Sequence, residues 1–306
     1  KQHTLDCNLE LEYINNSPDT LFEIWIHLWP NAYKSKESAL VQQQVENGNS
    51  ALYFAREDER GFIDGIDFTS EGKSLTFQFK AVDYGVLILD KPLLPSGKII
   101  IVTPFTVKLP SARFSRLGHE GQAYYISQWY PKPAVYDRDG WHPMSYLDIG
   151  EFYSEFGTFD VSLTLPSNYV VCATGELQNK EEVSWLNLKS SEDISDISDS
   201  TFPASLKSTK TLNYKQKNVH DFAWFADKRY LVRKGSVILP NTGRRIDTWA
   251  YFTPKNSRIW KNAVAYINHT IVKYSEWNGD YLYSSCSAAE GALAVSDGME
   301  YPMVTL

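Results

Sequence analysis

The sequence predicts a mainly β fold in which strands come first and one helix follows near the end. Aromatic side chains make up 14% of the 306 residues, and such residues favour pleated, half-buried strands. Several segments alternate apolar and polar residues with a period of two, as strands with one buried face do. Turn-forming clusters such as 15–18 (NNSP) and 95–97 (PSG) separate these segments. Together these features predict an antiparallel β-sandwich or a saddle-shaped sheet.

The predicted strands follow one another along most of the chain. The segment Ile99–Leu109 keeps its alternation over eleven residues, whereas Leu21–Trp29 is denser in apolar residues, as in a strand buried on both faces. Residues 179–213 are polar and rich in Ser and Asp, which predicts a solvated loop or a mobile hairpin. The full set of predicted strands is 9–13, 21–29, 75–79, 99–109, 159–165, 219–226, 230–239 and 247–252.

One helix is predicted over residues 256–277. Its apolar residues recur at spacings of 4, 3, 4 and 3, which gives a single apolar stripe, and they are Trp260, Val264, Ile267, Ile271 and Tyr274. Ser257 or Asn256 can cap its start, and Gly279 lies just past its end. A final strand is predicted at Ala292–Val295, leading into the GMEYP segment.

Charge and motif searches exclude several classes of function. The net charge is −7 and no basic run occurs, so we expect no nucleic-acid partner. No apolar run reaches the roughly 18 residues needed to span a membrane. Three widely separated cysteines predict neither a disulfide framework nor a cysteine zinc site. His119-Glu120 is the only His-Glu pair, and Ala123 stands where HExxH needs its second histidine. No metal site is therefore expected in this chain.

Two segments are candidates for binding. Residues 124–156 are too aromatic for a plain loop and include Gln128 and Tyr130. They suit a packed Ω-like loop with its own aromatic core or a wall of a binding cleft equally well. The second candidate is Glu300, which follows Gly298 and Met299. A glycine admits close approach of a ligand backbone, a strand edge can pair with an extended peptide, and a carboxylate can hold a free ammonium.

Six blocks of sequence, taken in order, resemble the gluzincin aminopeptidases, the zinc-dependent aminopeptidase N family. The resemblance is greatest to bacterial members of the Bacteroides type. It implies an N-terminal β-saddle domain over residues 1–230, followed over residues 231–306 by the first α+β lobe of a thermolysin-like catalytic domain. The blocks are IWIHLWPNAY (24–33), SQWYPKPAVYDRDGWH (127–142), EFYSEFGTFDVSLTLP (151–166), ATGEL (173–177), NVHDFAWFAD (218–227) and DGMEYP (297–302).

The resemblance assigns roles at the GMEYP segment. The family's GxMEN-type exopeptidase motif matches DGMEYP, with Asp297 in place of the usual Gly and Tyr301 in place of Asn. By this match Glu300 binds the N-terminal amine of a peptide substrate, and Gly298 and Met299 offer their backbone to it.

A second amine-binding position is implied in the block that resembles SQWY. Gln128 matches the leading Gln of that block. The position that usually carries the amine-binding side chain falls on Tyr130.

The family's zinc motif lies downstream of GxMEN, whereas this chain ends at Leu306. The resemblance therefore implies an N-terminal fragment of a zinc aminopeptidase. Zinc is expected in the full-length parent but not in this fragment, which has neither catalytic residues nor metal ligands and is expected to be inactive alone. Resemblance to the bacterial type also implies export to the periplasm.

Two alternatives to the enzyme hypothesis stay open. A non-catalytic peptide- or glycan-binding module could use the same fold, because fold does not fix function. An all-β adhesin without peptidase ancestry explains the strands but not a GMEYP segment placed after a helix.

Overall fold

The computed structural model describes residues 3–194, 201–292 and 298–306. The chain forms two compact units, one made of Lys1–His119 with Ile126–Glu155 and one made of Glu120–Tyr125 with Phe156–Leu306. The prediction of a mainly β fold is confirmed. The division at residue 230 between a saddle domain and a catalytic lobe stays a prediction. Within the described ranges, no helix combines the length and hydrophobicity that crossing a bilayer requires.

Thirteen strands precede residue 156. They are β1 (Thr4–Ile14), β2 (Leu21–His27), β3 (Phe62–Asp64), β4 (Thr69–Ser70), β5 (Lys73–Ser74), β6 (Thr76–Phe79), β7 (Tyr84–Leu93), β8 (Lys98–Lys108), β9 (Gly118–Glu120), β10 (Ala123–Ile126), β11 (Lys132–Pro133), β12 (Val135–Asp137) and β13 (Gly140–His142).

Helix α1 (Ala39–Glu46) lies between β2 and β3. Ten described strands and three described α-helices follow residue 156. The later strands are β14 (Gly157–Pro166), β15 (Val170–Ala173), β16 (Glu176–Leu177), β17 (Thr209–Val219), β18 (Trp224–Asp227), β19 (Leu231–Ile238), β20 (Arg245–Phe252), β21 (Ser285–Ala289), β22 (Glu300–Tyr301) and β23 (Val304–Thr305). The later helices are α2 (Lys180–Ser190), α3 (Ser257–Trp260) and α4 (Ala263–Asn278).

The first unit is built from antiparallel sheets. One sheet has the order β1-β8-β4-β5, with β3 also paired to β8, and a second has the order β11-β2-β7-β6. Strands β1 and β8 pair over eleven residues, from Thr4↔Lys108 to Ile14↔Lys98. The alternation that predicted β8 is real, because Ile101, Phe105 and Val107 are all buried. Strands β12 and β13 form a separate hairpin.

The second unit ends in a mixed sheet of order β19-β20-β21-β23-β22. Strands β20 and β21 run parallel, and parallel neighbours need a long crossover connection, which α3 and α4 supply. Helix α4 packs Val264 and Ile267 against a core that contains Leu231 and Phe252. Helix α4 packs closely on the sheet at Gly235, where an added Cβ would lie 2.4 Å from Cγ1 of Val264.

The predicted helix over 256–277 forms as α3 and α4, and Gly279 follows it with φ 93°. A positive φ of this kind favours glycine. The last residue of the predicted stripe departs from expectation, since Tyr274 is 59% exposed. The predicted strand Ala292–Val295 falls, from residue 293 onward, outside the described residues.

The prediction of a loop over 179–213 is wrong at both ends, because α2 occupies Lys180–Ser190 and β17 starts at Thr209. Leu186 is buried on one side of α2. Glu182 forms an ion pair with Lys210 of β17 at 2.5 Å, and both side chains are less than a fifth exposed. One buried leucine and one shielded ion pair therefore anchor a helix whose sequence carries no apolar stripe. Residues 195–200 of the predicted loop lie outside the described residues.

Candidate functional site

The GMEYP segment forms a short hairpin at the edge of the mixed sheet. Strand β22 is the last in the sheet order, and among the described strands its one partner is β23. The backbone N–H and C=O groups of Met299 and Leu306 bond each other at 3.0 and 2.9 Å. In an antiparallel ladder such bonded pairs alternate with non-bonded ones, so the Glu300↔Thr305 pair is non-bonded. The backbone groups of Glu300 therefore face away from β23, along the open edge of the sheet.

Alternation of side chains explains why Glu300 reaches solvent. Tyr301 is 6% exposed and its ring lies 6.0 Å from that of Phe225 in β18. Since neighbouring residues of a strand point to opposite faces, burial of Tyr301 directs Glu300 outward, and Glu300 is exposed. In the part of the chain that the structure describes, its carboxylate has no ion-pair or hydrogen-bond partner. It is therefore accessible to a ligand cation.

The turn of this hairpin holds a non-glycine residue in the left-handed region. Met303 has φ 66°, a conformation that costs an L-residue roughly 1–2 kcal/mol. The side chain of Met303 is buried, and its backbone C=O accepts a hydrogen bond from Ser287 of β21 at 2.9 Å. Packing and this bond hold the strained turn, and with it the position of Glu300.

Gly298 differs from the structural glycines of the chain. An added Cβ would meet Leu306 O at 3.6 Å and Glu300 Oε1 at 3.9 Å, which is ordinary contact, and its φ is not in the left-handed region. At Gly235, by contrast, the added atom would clash with α4. Packing against the described residues therefore does not require a glycine at position 298.

The first half of segment 124–156 packs as an aromatic cluster. Gln128 is 3% exposed and has φ 46°. Trp129 and Tyr130 are also buried, with ring centroids 5.5 Å apart in an edge-to-face arrangement. Lys132, only 6% exposed, places Nζ 6.0 Å from the centre of the Tyr130 ring and 5.7 Å from that of Trp29. The two residues proposed from the SQWY block are thus enclosed, and a buried cation lies beside them.

A neighbouring histidine is neutral as a result of this environment. His27 is fully buried, stacks on Trp29 at 4.5 Å, and accepts a hydrogen bond at Nε2 from the backbone N–H of Met144 at 3.0 Å. Burial, together with the positive charge of Lys132, lowers the pKa of His27 to about 3. His27 is therefore a structural residue. The sequence analysis did not single out Lys132, and its flanking prolines within an aromatic run were the only signal available.

Part of the second half of the segment is open to solvent, although Tyr146 is fully buried. His142 Nε2 lies 2.7 Å from Asp137 Oδ1, and the hydroxyl of Tyr153 donates to Asp137 Oδ2 at 3.2 Å. The backbone N–H of Asp139, followed by the His142 and Tyr153 bonds, holds the pKa of Asp137 below its usual range. These contacts tie the β12–β13 hairpin to the residues that follow it, and they leave Tyr153 half-exposed.

The residues proposed from the sequence fall into two groups. Gly298, Met299 and Glu300 lie together at the β22 edge in the second unit, whereas Gln128 and Tyr130 lie in the aromatic cluster of the first. Met299 has both of its backbone groups bonded to Leu306, so its role as a backbone partner of substrate stays a prediction. Over the described ranges, no three or more His, Cys, Asp or Glu side chains are grouped so as to hold a metal ion.

The chain matches no family model and no curated protein, but its fold is similar to that of solved metallopeptidases. A mutant of the M1 zinc metallopeptidase from Deinococcus radiodurans matches all of this chain with a TM-score of 0.56 at 13% identity. A two-domain M1 zinc metallopeptidase bound to L-arginine matches with a TM-score of 0.55, also at 13% identity. The Deinococcus enzyme with a Tyr-Ser-Ala substrate matches 98% of this chain with a TM-score of 0.53 at 12% identity.

This chain spans 56% of the length of the first two of these structures and 55% of the third. At such low identity the similarity shows the fold alone. The fold is that of the N-terminal region of M1 metallopeptidases, as the sequence blocks predicted.

Proposed function

We propose that this chain is the N-terminal portion of a zinc-dependent aminopeptidase-like metallopeptidase of the Bacteroides type, in which Glu300 binds the N-terminal ammonium of the peptide substrate. The observation that carries the proposal is the state of Glu300. It is exposed at an open strand edge, and no described residue neutralises it. The full-length parent would hydrolyse the first peptide bond, and this chain would contribute a wall of the cleft.

The strand edge gives this carboxylate a way to select peptide ends. An extended peptide can pair with the outward N–H and C=O of Glu300 by strand addition. Its free ammonium can then reach the carboxylate, and a charge-assisted hydrogen bond of this kind is worth roughly 1.5–3 kcal/mol. Gly298 adds no side chain at this edge, which leaves room for the substrate backbone.

The aromatic cluster of the first unit contains the second position to which the resemblance assigns amine binding. Tyr130 is only 8% exposed, and its ring packs edge-to-face on Trp129. Tyr130 is therefore a poor second anchor for an amine, although the resemblance places one there. Selection of the amine rests on Glu300.

The described residues do not form a set of zinc ligands. In the parent, zinc would supply an activated water, and other residues of that protein would hold it. We propose that residues 1–306 alone are inactive, and stoichiometric zinc with peptide turnover in this chain would contradict that. We also propose that the parent is exported to the periplasm, which fractionation of cells expressing the full-length gene would test.

The amine-binding role can be tested on this chain directly. Titration of the ¹⁵N-labelled chain with Ala-Phe-Ala amide should shift the amide signals of β22, and the N-acetylated peptide should bind about 10–100-fold more weakly, as loss of roughly 1.5–3 kcal/mol dictates. In Glu300→Gln this difference should disappear. The matched control is Glu276→Gln, which alters an exposed glutamate paired with Lys273 on α4 and should keep the difference. Equal binding of both peptides by the unaltered chain would contradict the proposal.

A binding module is the second candidate, and one observation favours it. The half-exposed Tyr153 beside the Asp137–His142 pair presents an aromatic face with polar groups, a combination found in ligand sites. The sequence of the gene beyond residue 306 separates the candidates. A downstream HExxH supports the enzyme, and a stop codon supports the binding module.

A further inference from the structure

Strand β1 presents an eleven-residue open edge. It is the first strand in the order of its sheet, and its partner in the ladder is β8. Between Thr4 and Ile14, the described chain forms no other backbone hydrogen bond to this strand. An edge of this length and regularity is a template for pairing with another strand, which proteins usually block.

The register identifies the backbone groups that face this open edge. Leu109 N–H donates to His3 O at 2.8 Å and Asn15 N–H donates to Gly97 O at 2.9 Å, and both pairs continue the β1–β8 register. Because bonded pairs alternate with non-bonded pairs, the odd-numbered residues of β1 bond to β8. The even-numbered residues direct their N–H and C=O groups outward, and they are Thr4, Asp6, Asn8, Glu10, Glu12 and Ile14.

The position of Pro104 in β8 is consistent with this pattern of bonded and non-bonded pairs. It lies opposite Asn8, in a pair that the alternation makes non-bonded. The missing N–H of the proline therefore removes no hydrogen bond between β1 and β8.

The side chains along the edge alternate in polarity. Each outward-bonding residue has an exposed side chain, and three of the six, Asp6, Glu10 and Glu12, are acidic. Glu12 forms an ion pair with Lys98 at 3.3 Å. Among the described residues Asp6 and Glu10 have no cationic partner. The intervening residues Leu5, Cys7, Leu9 and Leu11 are only partly buried, so apolar surface on the other face reaches the edge.

This pattern selects the chemistry of the strand that can pair with β1. Residues directly opposite each other in an antiparallel pair carry their side chains on the same face. A complementary strand therefore places basic side chains opposite Asp6, Glu10 and Glu12 and apolar side chains between them. Pairing with a second copy of β1 is disfavoured. In the antiparallel register that pairs two copies over the whole of Thr4–Ile14, Asp6 of each copy opposes Glu12 of the other, and like charges that lie directly opposite each other are destabilising.

We propose that β1 is a docking edge for an extended segment of another protein, in which lysine or arginine alternates with apolar residues. The partner adds as a sixth strand to the β1-β8-β4-β5 sheet. Backbone hydrogen bonds from the even-numbered residues provide the pairing, and the acidic side chains provide the choice of partner. This edge lies in the first unit, whereas Glu300 lies in the second, so the proposal is independent of the peptidase function.

The probe is the capped peptide acetyl-(Lys-Val)₄-amide, added to the complete 306-residue chain and followed by hydrogen exchange and fluorescence anisotropy. We expect slower exchange at the amides of Asp6, Asn8, Glu10 and Glu12, with little change at the odd-numbered amides that β8 already protects. An acetyl-(Glu-Val)₄-amide peptide should bind at least tenfold more weakly. A (Lys-Val)₄ peptide N-methylated at alternate residues keeps its charge and should also lose at least tenfold in affinity.

The matched variants are Asn8→Pro and Asn8→Ala. Proline removes an outward N–H without removing a bond to β8, so Asn8→Pro should weaken binding at least tenfold and Asn8→Ala should not. If Asn8→Pro fails to fold, the hydrogen-exchange pattern of the unaltered chain with the peptide still tests whether the peptide pairs with β1. Protection spread over the acidic surface, or equal binding of the N-methylated peptide, would overturn the proposal and reduce the interaction to non-specific charge attraction.

Discussion

Two alanine substitutions, Gly298→Ala and Gly235→Ala, should separate a glycine kept for a ligand from a glycine kept for packing. At Gly235 the added Cβ would lie 2.4 Å from Cγ1 of Val264. Relieving such overpacking costs typically about 1–3 kcal/mol. At Gly298 the nearest atom of a described residue would be 3.6 Å away, and φ is ordinary. Alanine there should leave stability unchanged or raise it by about 0.4–1 kcal/mol, because it restricts the unfolded chain.

The two variants should respond oppositely in a pair of assays. Urea unfolding of the second unit, followed by tryptophan fluorescence, should show a lower midpoint for Gly235→Ala and not for Gly298→Ala. Titration with Ala-Phe-Ala amide should show weaker binding for Gly298→Ala, about tenfold if the methyl group blocks one hydrogen bond of roughly 1.4 kcal/mol. Gly235→Ala should bind as the unaltered chain does. Unchanged peptide binding in Gly298→Ala would refute the role of this glycine in substrate approach.

Two further predictions concern stability. The pKa of His27 is about 3 in the folded chain and about 6.5 when unfolded, so the unfolded state takes up a proton first as the pH falls. The free energy of unfolding should therefore decrease by up to about 1.4 kcal/mol for each pH unit from roughly pH 6.5 down to pH 3. Urea titrations should show a shallower dependence of this free energy on pH for His27→Gln. An unaltered slope in that variant would contradict the prediction. Lys210→Met removes the partner of the largely shielded Glu182 and should destabilise the second unit by about 1–3 kcal/mol. The double variant Glu182→Gln with Lys210→Met should recover part of this loss. Full stability of the single variant would show that the ion pair contributes nothing.

The sequence predicted those elements whose burial follows a simple period. Strands β1 and β8 alternate over their whole length, and α4 carries its stripe to Ile271. Helix α2 escaped prediction because distant strands anchor it: Lys210 of β17 pairs with Glu182, and Arg233 and Lys234 of β19 donate to the C-terminal turns of the helix. Strand β21 (SCSAA) escaped because its small residues lie between two parallel neighbours and show no alternation.

Some features of the candidate site could likewise be predicted from the sequence, and others could not. The exposure of Glu300 follows from a motif and from strand alternation. The burial of Gln128 and Tyr130 does not follow from the sequence, because an aromatic-rich segment is equally compatible with a packed cluster and with a cleft wall until its neighbours are known. Lys132 is the clearest example, since only the tertiary structure places its charge between the rings of Trp29 and Tyr130.

The most direct test of the central claim uses the full-length parent protein and compares kcat/KM for a peptide with a free amine and for its N-acetylated form. The account predicts that Glu300→Gln lowers kcat/KM for the free amine by about 10–100-fold and has little effect on the acetylated peptide. An equal loss on both peptides, or no loss on either, would contradict the assignment of Glu300 as the group that binds the substrate's N-terminus.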